Sequence, residues 1–358
     1  LFSKNSQTYL ALQKFKKNTW GVFSFFYVIF CILVALFAYV ISPDNSKNAN
    51  QMALSIHSKP PGFKVDGFYK KSLTEESTLW FLSGKTKVNQ FTPVQHSEVK
   101  NDTLYYNDYA VEQTDFDKHV ALKDLKSKDE KYISSKTFTL GTDKYGRDLL
   151  SRMIIGIRIS LSIGFVAVFI SLVIGIALGA IAGYFGGKID QAIMWLINVT
   201  WSIPTLLLVI AITLVLGKGF WQVFIAVGLT MWIEVARVVR GQFISIKNEQ
   251  YVTAAKTLGI PDRSIMMKHI LPNAIAPVIV ISAANFAAAI LIESGLSFLG
   301  IGAQPPIPSW GAMIKNHYSY IIVGKAYLAI IPGLGIMSLV MAFMLIGNAL
   351  RDAFDVKS

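Results

Sequence analysis

Long apolar runs alternate with short charged ones along most of the chain. Residues 21–41, GVFSFFYVIFCILVALFAYVI, hold 21 consecutive positions without a charge. At about 1.5 Å per residue they reach roughly 30 Å, one hydrocarbon thickness, which predicts a first spanning helix. Five further apolar stretches follow at roughly 159–185, 192–216, 220–236, 274–299 and 326–350. The pattern predicts an all-α polytopic membrane protein with six spans and both ends on one side. The first run is too long for the apolar region of a signal peptide and has no small-x-small cleavage site before Pro43-Asp44, so it is expected to stay as an anchor.

Residues 42–140 interrupt the pattern. Short segments such as TLWFL (78–82) and TLYY (103–106) have strand-like composition and are bounded by Gly, Asn and Asp. They predict a small, partly β insert, with a loosely ordered loop as the alternative. Over 146–158, Leu149, Leu150, Met153, Ile154 and Ile157 fall on one helical face while Arg147, Asp148 and Arg152 fall largely elsewhere. The segment 141–158 therefore reads as an interfacial amphipathic helix, or else as an extension of the next span. A core of five spans at 159–350, interrupted by the connection 237–273, and a tail at 351–358 complete the order after residues 1–41.

Composition agrees with the membrane reading: 53% of residues are apolar and 16% charged. The net charge of +12 would suit nucleic acid, but the charges lie between apolar runs, which excludes that partner in favour of a lipid bilayer. The N-terminal segment carries Lys4, Lys14, Lys16 and Lys17. The connection 237–273 carries Arg237, Arg240, Lys247, Lys256, Arg263 and Lys268. With the loop at 186–191 and the tail, one side holds thirteen Lys and Arg against three in the short loops of the other. The positive-inside rule makes the basic side, with both termini, cytoplasmic. The insert holds 14 basic and 13 acidic residues, which argues against a polyanion-binding surface.

The most informative stretch is NEQYVTAAKTLGIPDRSIMMKHILPNAIAP, residues 248–277. Asn248 suits an N-cap and Glu249 complements the positive end of the helix dipole. Tyr251, Ala254, Ala255 and Leu258 share one helical face, and Thr253, Lys256 and Thr257 point mostly away. Gly259 supplies the left-handed position after the helix and Pro261 prevents its continuation. A second helix is expected from about 262 to 271, closing at Pro272. Two turns bury too little to persist in water, so the first helix needs a partner.

The spacing A-A-x3-G-x11-L-P, met by Ala254, Ala255, Gly259, Leu271 and Pro272, resembles the EAA loop of the membrane subunits of bacterial ATP-binding cassette (ABC) importers. Thr253 stands where the motif name has Glu, and His269 where Ile is usual. LGTDKYGRDLLSRMIIGIRISL (140–161), ESGLSFLGIGAQPPIPSWG (293–311) and RDAFD (351–355) are similar to the C-type permease of oligopeptide, dipeptide and nickel importers. The resemblance covers 1–41 loosely and 140–355 closely. It implies an inner-membrane permease subunit that pairs with a second homologous permease, two ATPase subunits and an extracytoplasmic solute-binding protein. It also implies ATPase-coupling roles for Glu249, Tyr251, Thr253, Ala254, Ala255, Leu258, Gly259, Leu271 and Pro272, in a coupling helix that fits a cleft on the ATPase.

Other chemistry is sparse. GYFGGKID (183–190) fails as a phosphate loop, because Ile189 follows Lys188 and Ala182 stands at the leading glycine position, so it reads as a turn. No nucleophile elbow, zinc motif or cofactor signature is present, and no catalytic or metal residue is assigned. The five histidines, His57, His96, His119, His269 and His317, are scattered and read as surface or interface residues, and Cys31 reads as packing. Gly164, Gly175, Gly179 and Gly183 recur at small-xxx-small spacings that allow close helix approach. Glu234 falls near a span end, with Arg237 and Arg240 as expected partners. Glu293 either lines the translocation path or caps local packing. Two functions from other classes stay open: a membrane scaffold presenting the insert, and an ion-coupled carrier.

Overall fold

The structure is a computed structural model, and it describes residues 7–71, 80–86, 88–111, 115–127, 131–217 and 219–354. Lys4, Thr78, Leu79, Asp355 and Lys357 lie outside these residues. Two compact units are present, one of residues 1–31, 160–304 and 336–358 and the other of residues 32–159 and 305–335.

The helices in chain order are α1 (Gln7–Lys17), α2 (Thr19–Leu36), α3 (Leu149–Phe185), α4 (Gly187–Trp201), α5 (Thr205–Leu216), α6 (Phe220–Ile246), α7 (Gln250–Thr257), α8 (Asp262–Leu299), α9 (Trp310–His317) and α10 (Tyr327–Phe354). Among the described residues α2, α3, α6, α8 and α10 are each long and apolar enough to cross a membrane. The third expected span is not one helix: α4 and α5 meet at 91°. Pro204 lacks the amide proton that would continue the ladder, and Ser202 folds its hydroxyl back onto the Val199 carbonyl at 2.7 Å. Counting the bent pair as one span gives six.

In the first unit α6 is the central helix, with buried residues from Val223 to Phe243. The glycines of α3 let it approach closely. A β-carbon at Gly175 would stand 2.5 Å from that of Val235, one at Gly179 2.5 Å from the Ala236 carbonyl, and one at Gly183 2.6 Å from the Phe243 β-carbon. Gly164 accommodates the ring of Phe286 in the same way. Backbone approach of this kind replaces the hydrophobic drive that lipid cannot supply. Cys31 is buried, as expected of a packing residue.

The second unit contains a five-stranded antiparallel sheet in the order β4-β3-β2-β1-β5, built from β1 (Phe63–Lys70), β2 (Gln90–Lys100), β3 (Thr103–Asp108), β4 (Lys118–Ala121) and β5 (Ile133–Phe138). TLYY lies in β3, as its composition predicts, but Trp80–Ser83 is a helical turn and no strand. Asn101 and Asp102 both take positive φ, the twist that joins β2 and β3 through a two-residue turn. Each face of the sheet covers its own small core, one around Ile56, Val65, Phe91 and Phe138, the other around Phe68, Val94, Leu104 and Leu125.

The segment before the second span departs from expectation. Residues 149–158 are the first turns of α3, continuous with the span, and no separate interfacial helix forms. Gly156 does not break the helix, because the Trp310 indole packs against its open face and donates to the Met153 carbonyl at 3.1 Å. Arg147, Asp148 and Arg152 are buried, not turned to water. Asp143 receives Arg147 Nε at 2.6 Å and the amides of Tyr145 and Arg147, while Arg147 also donates to Asn50 at 2.9 Å. Asp148 accepts from the Ser151 hydroxyl and amide, and burial raises its pKa above the usual carboxylate range. His317 is likewise no surface residue: its Nδ1 lies 2.7 Å from the Met313 carbonyl, and burial lowers its pKa.

Candidate functional site

The basic connection is shorter than its sequence span of 237–273. Helix α6 continues to Ile246, past Arg237 and Arg240, because both arginines find polar partners along the helix flank. Arg240 grips Asp190 through two nitrogens at 2.5 and 2.6 Å. Arg237 donates to Asn198 at 3.1 Å and stacks over Trp201 at 3.8 Å. Neither holds Glu234, the partner the sequence suggested.

Helix α7 begins one residue later than expected. Glu249, in extended conformation, occupies the N-cap position, and Asn248 instead donates its side-chain amide to the Ile244 carbonyl. The helix ends as the glycine demands. Gly259 has φ +73°, its amide donates to the Lys256 carbonyl at 3.0 Å, and the Ile260 amide reaches back to Ala255 at 3.2 Å. This six-to-one closure, with Ile260 folded onto the core, fixes the direction in which the chain leaves.

The buried face of α7 is Val252 and Ala255, which join Val239, Phe243, Ile265, Ile270 and Ala274 in one cluster. Ala255 therefore separates from the face assigned to it. At 100° per residue the Val252–Ala255 pair subtends one side, and Tyr251, Ala254 and Leu258 the adjoining one. Leu258 is 80% exposed and Tyr251 45%, and Thr253, Ala254 and Thr257 are exposed beside them. The hydroxyl of Tyr251 accepts from Asn273 at 3.1 Å, tying the outer face to α8. Partial burial and the nearby Glu249 carboxylate push its phenol pKa up, and the Asn273 donor opposes them.

The second loop helix does not close at Pro272. Asp262–Ser264 leads through a π-helical stretch, Ile265–Ile270, directly into the fifth span. Pro272 falls in the first turn of the α-helical part, where its missing amide is tolerated. Leu271 is half-buried against the same cluster as Ala255, and Pro272 is exposed.

Three polar ties hold this platform. Lys247 donates to the carbonyls of Gly183 and Tyr184, the electronegative end of α3, at 3.5 and 3.1 Å. The Tyr184 hydroxyl donates to Asp262. Together with Asp190–Arg240 they lock the ends of α3, α6 and α8 beneath α7. An open cleft of about 500 Å³, lined by Tyr184, Phe185, Lys247, Val252, Thr253 and Lys256, borders the helix. Sequence reading missed Val252 as the anchor, although its three-residue spacing from Ala255 was the available signal.

Glu293 stands apart from all this, about 30 Å along α8 from Pro272. It is fully buried, and the Ser297 hydroxyl donates to it at 2.6 Å while accepting from the Ala303 amide at 3.0 Å. Through Ser297 the carboxylate is thus tied to the turn that ends the helix.

Residues 175–357 match the family described as binding-protein-dependent transport system inner membrane component, and residues 6–61 match the N-terminal transmembrane domain of oligopeptide transport permease C. The chain is 43% identical over 217 residues to the oligopeptide transport system permease protein OppC of Haemophilus influenzae, covering 61% of this chain and 70% of that protein. It is 39% identical over 223 residues to the glutathione transport system permease protein GsiD of Pectobacterium atrosepticum, covering 62% and 74%. It is 41% identical over 217 residues to the dipeptide transport system permease protein DppC of Alkalihalophilus pseudofirmus, covering 61% and 71%. Among solved structures, a methionine ABC transporter in an inward-facing conformation aligns with 57% of this chain and 97% of its own at TM-score 0.48 and 18% identity.

Proposed function

Since the chain belongs to the family of binding-protein-dependent transport system inner membrane components, we propose that it is the permease subunit of an ATP-driven importer of peptides or a related small solute. It forms half of the translocation path with a second homologous permease. Two ATPase subunits supply the energy, and an extracytoplasmic binding protein delivers the solute. Both termini and the α7 platform face the cytoplasm of a multi-pass inner-membrane protein, consistent with the basic residues at 14–17 and 237–268.

The observation that carries this reading is the division of α7 into two faces. Val252 and Ala255 fix it to the membrane helices, and Ala254 and Leu258 are left bare beside the half-exposed Tyr251 on a short rod that cannot stand alone. An exposed apolar face on a rigidly tied rod fits a cleft on an ATPase and transmits its closure. Glu249, Thr253 and Gly259 set the rod's start, rim and exit. Leu271 and Pro272 pass the displacement to the fifth span.

Reconstitution of the assembled importer in liposomes tests it. Uptake of a radiolabelled dipeptide or tripeptide is expected to require ATP and the binding protein, to survive a proton uncoupler at constant ATP, and to leave this chain, purified alone, without ATP binding. Collapse of uptake with the uncoupler would instead indicate an ion-coupled carrier. Failure of the loop to retain any ATPase would favour a scaffold that presents the sheet.

A further inference from the structure

The apolar run on which the fourth span was read ends near residue 236 and helix α6 continues past it to Ile246, so Glu234 lies midway along the helix but still within the last turn of the apolar run. A carboxylate inside an apolar run is costly against lipid, so it is retained where water or a partner meets it. Glu234 is exposed on this chain. Arg237, one turn away, is engaged with Asn198 and Trp201, and Arg240 with Asp190.

Beside the carboxylate is a cavity of about 190 Å³, whose lining includes Thr200, Trp201, Thr205, Thr230, Met231 and Glu234. It opens at the 91° break between α4 and α5. At the break Ser202 turns its hydroxyl onto the Val199 carbonyl and Thr200 donates its own to the Leu196 carbonyl, which leaves the Thr200 hydroxyl oxygen beside the cavity as an acceptor. A broken helix beside a charge carried on a neighbouring span is how membrane proteins build solute sites without exposing backbone to lipid.

We propose that this cavity is a way-station of the translocation path that receives an ammonium group of the solute, with Glu234 as its counter-charge and the threonine hydroxyl oxygens as further acceptors. The inference rests on the import reading and names the solute class: molecules carrying a free amine. The competing occupant, a basic side chain of the second permease, would close the same cavity.

The test uses the assembled importer carrying Thr205→Cys on a Cys31→Ala background, labelled with a cationic trimethylammonium thiosulfonate or its anionic sulfonate counterpart. The ratio of the cationic to the anionic rate is expected to fall at least tenfold when Glu234→Gln is added and to survive Glu234→Asp. With Glu234 intact, the ratio should also shrink as salt rises from about 0.01 to 1 M, where the screening length drops from roughly 30 to 3 Å. A ratio indifferent to both Gln and salt overturns the proposal, as does a thiol inert to both reagents, the outcome of a cavity sealed by the second permease. The labelling pattern without any ATP-dependent uptake would refute the import reading and leave the cation site standing. Intact uptake without the pattern would refute the cation site alone.

Discussion

Leu258→Asp and Ala254→Arg are each expected to reduce ATP-driven uptake at least 100-fold while membrane insertion and the fold of the chain stay intact. Leu258 is 80% exposed and touches little of its own chain, so a charge there is nearly neutral for the subunit. In a closely packed cleft the same charge is buried without a partner, the situation in which single interface residues weigh most. Ala254 adds the steric half of the argument, because a small residue at the centre of the face lets the partner's backbone approach. Uptake by proteoliposomes, with co-purification of the ATPase and thermal unfolding of the detergent-solubilised subunit, separates the two effects. Loss of uptake with loss of the subunit's own stability would mean that the face is structural.

Asp143→Ala is expected to act oppositely, on the protein before transport. Its carboxylate is fully buried, holds Arg147 Nε at 2.6 Å, lies 3.7 Å from Arg152 Nε, and caps the turn through the Tyr145 and Arg147 amides. Removing it leaves two buried guanidiniums with no carboxylate at that point, a change of the kind that costs about 3 to 5 kcal/mol. The subunit should accumulate poorly and unfold at distinctly lower temperature, measured by fluorescence-detected size exclusion after heating. Asp143→Asn, which retains an acceptor for the amides, should recover only part of the loss. Wild-type stability in the alanine variant would show that the cluster is surplus to the fold.

The contrast between these two sites explains what the sequence could convey. Apolar runs located α2, α3, α8 and α10, because a lipid-facing helix needs little beyond length and hydrophobicity. Gly259 and Pro261 located the end of α7, because its left-handed exit depends on a local backbone property. The buried face of α7 was misassigned because Ala255 is indifferent to its surroundings, and only the cluster around Ile265 and Ile270 decides which way it turns. The burial of Arg147 and Arg152 was hidden for another reason: their partners include Asn50 and the carbonyls of Asn48 and Ala49, about a hundred residues away. The bend at Pro204 was signalled by the proline itself but masked by the apolar residues on both sides. The pairing expected for Glu234 was misassigned because Arg237 and Arg240 are taken by Asn198, Trp201 and Asp190, partners on another helix that local spacing does not reveal.

The central claim, that the bare face of α7 seats in an ATPase, is tested most directly by photocross-linking. A benzoylphenylalanine placed at position 258 of the assembled importer should form its adduct with the ATPase subunit, and the yield should change between the ATP-bound and nucleotide-free states. An adduct with lipid or with the second permease, or none at all, would contradict it.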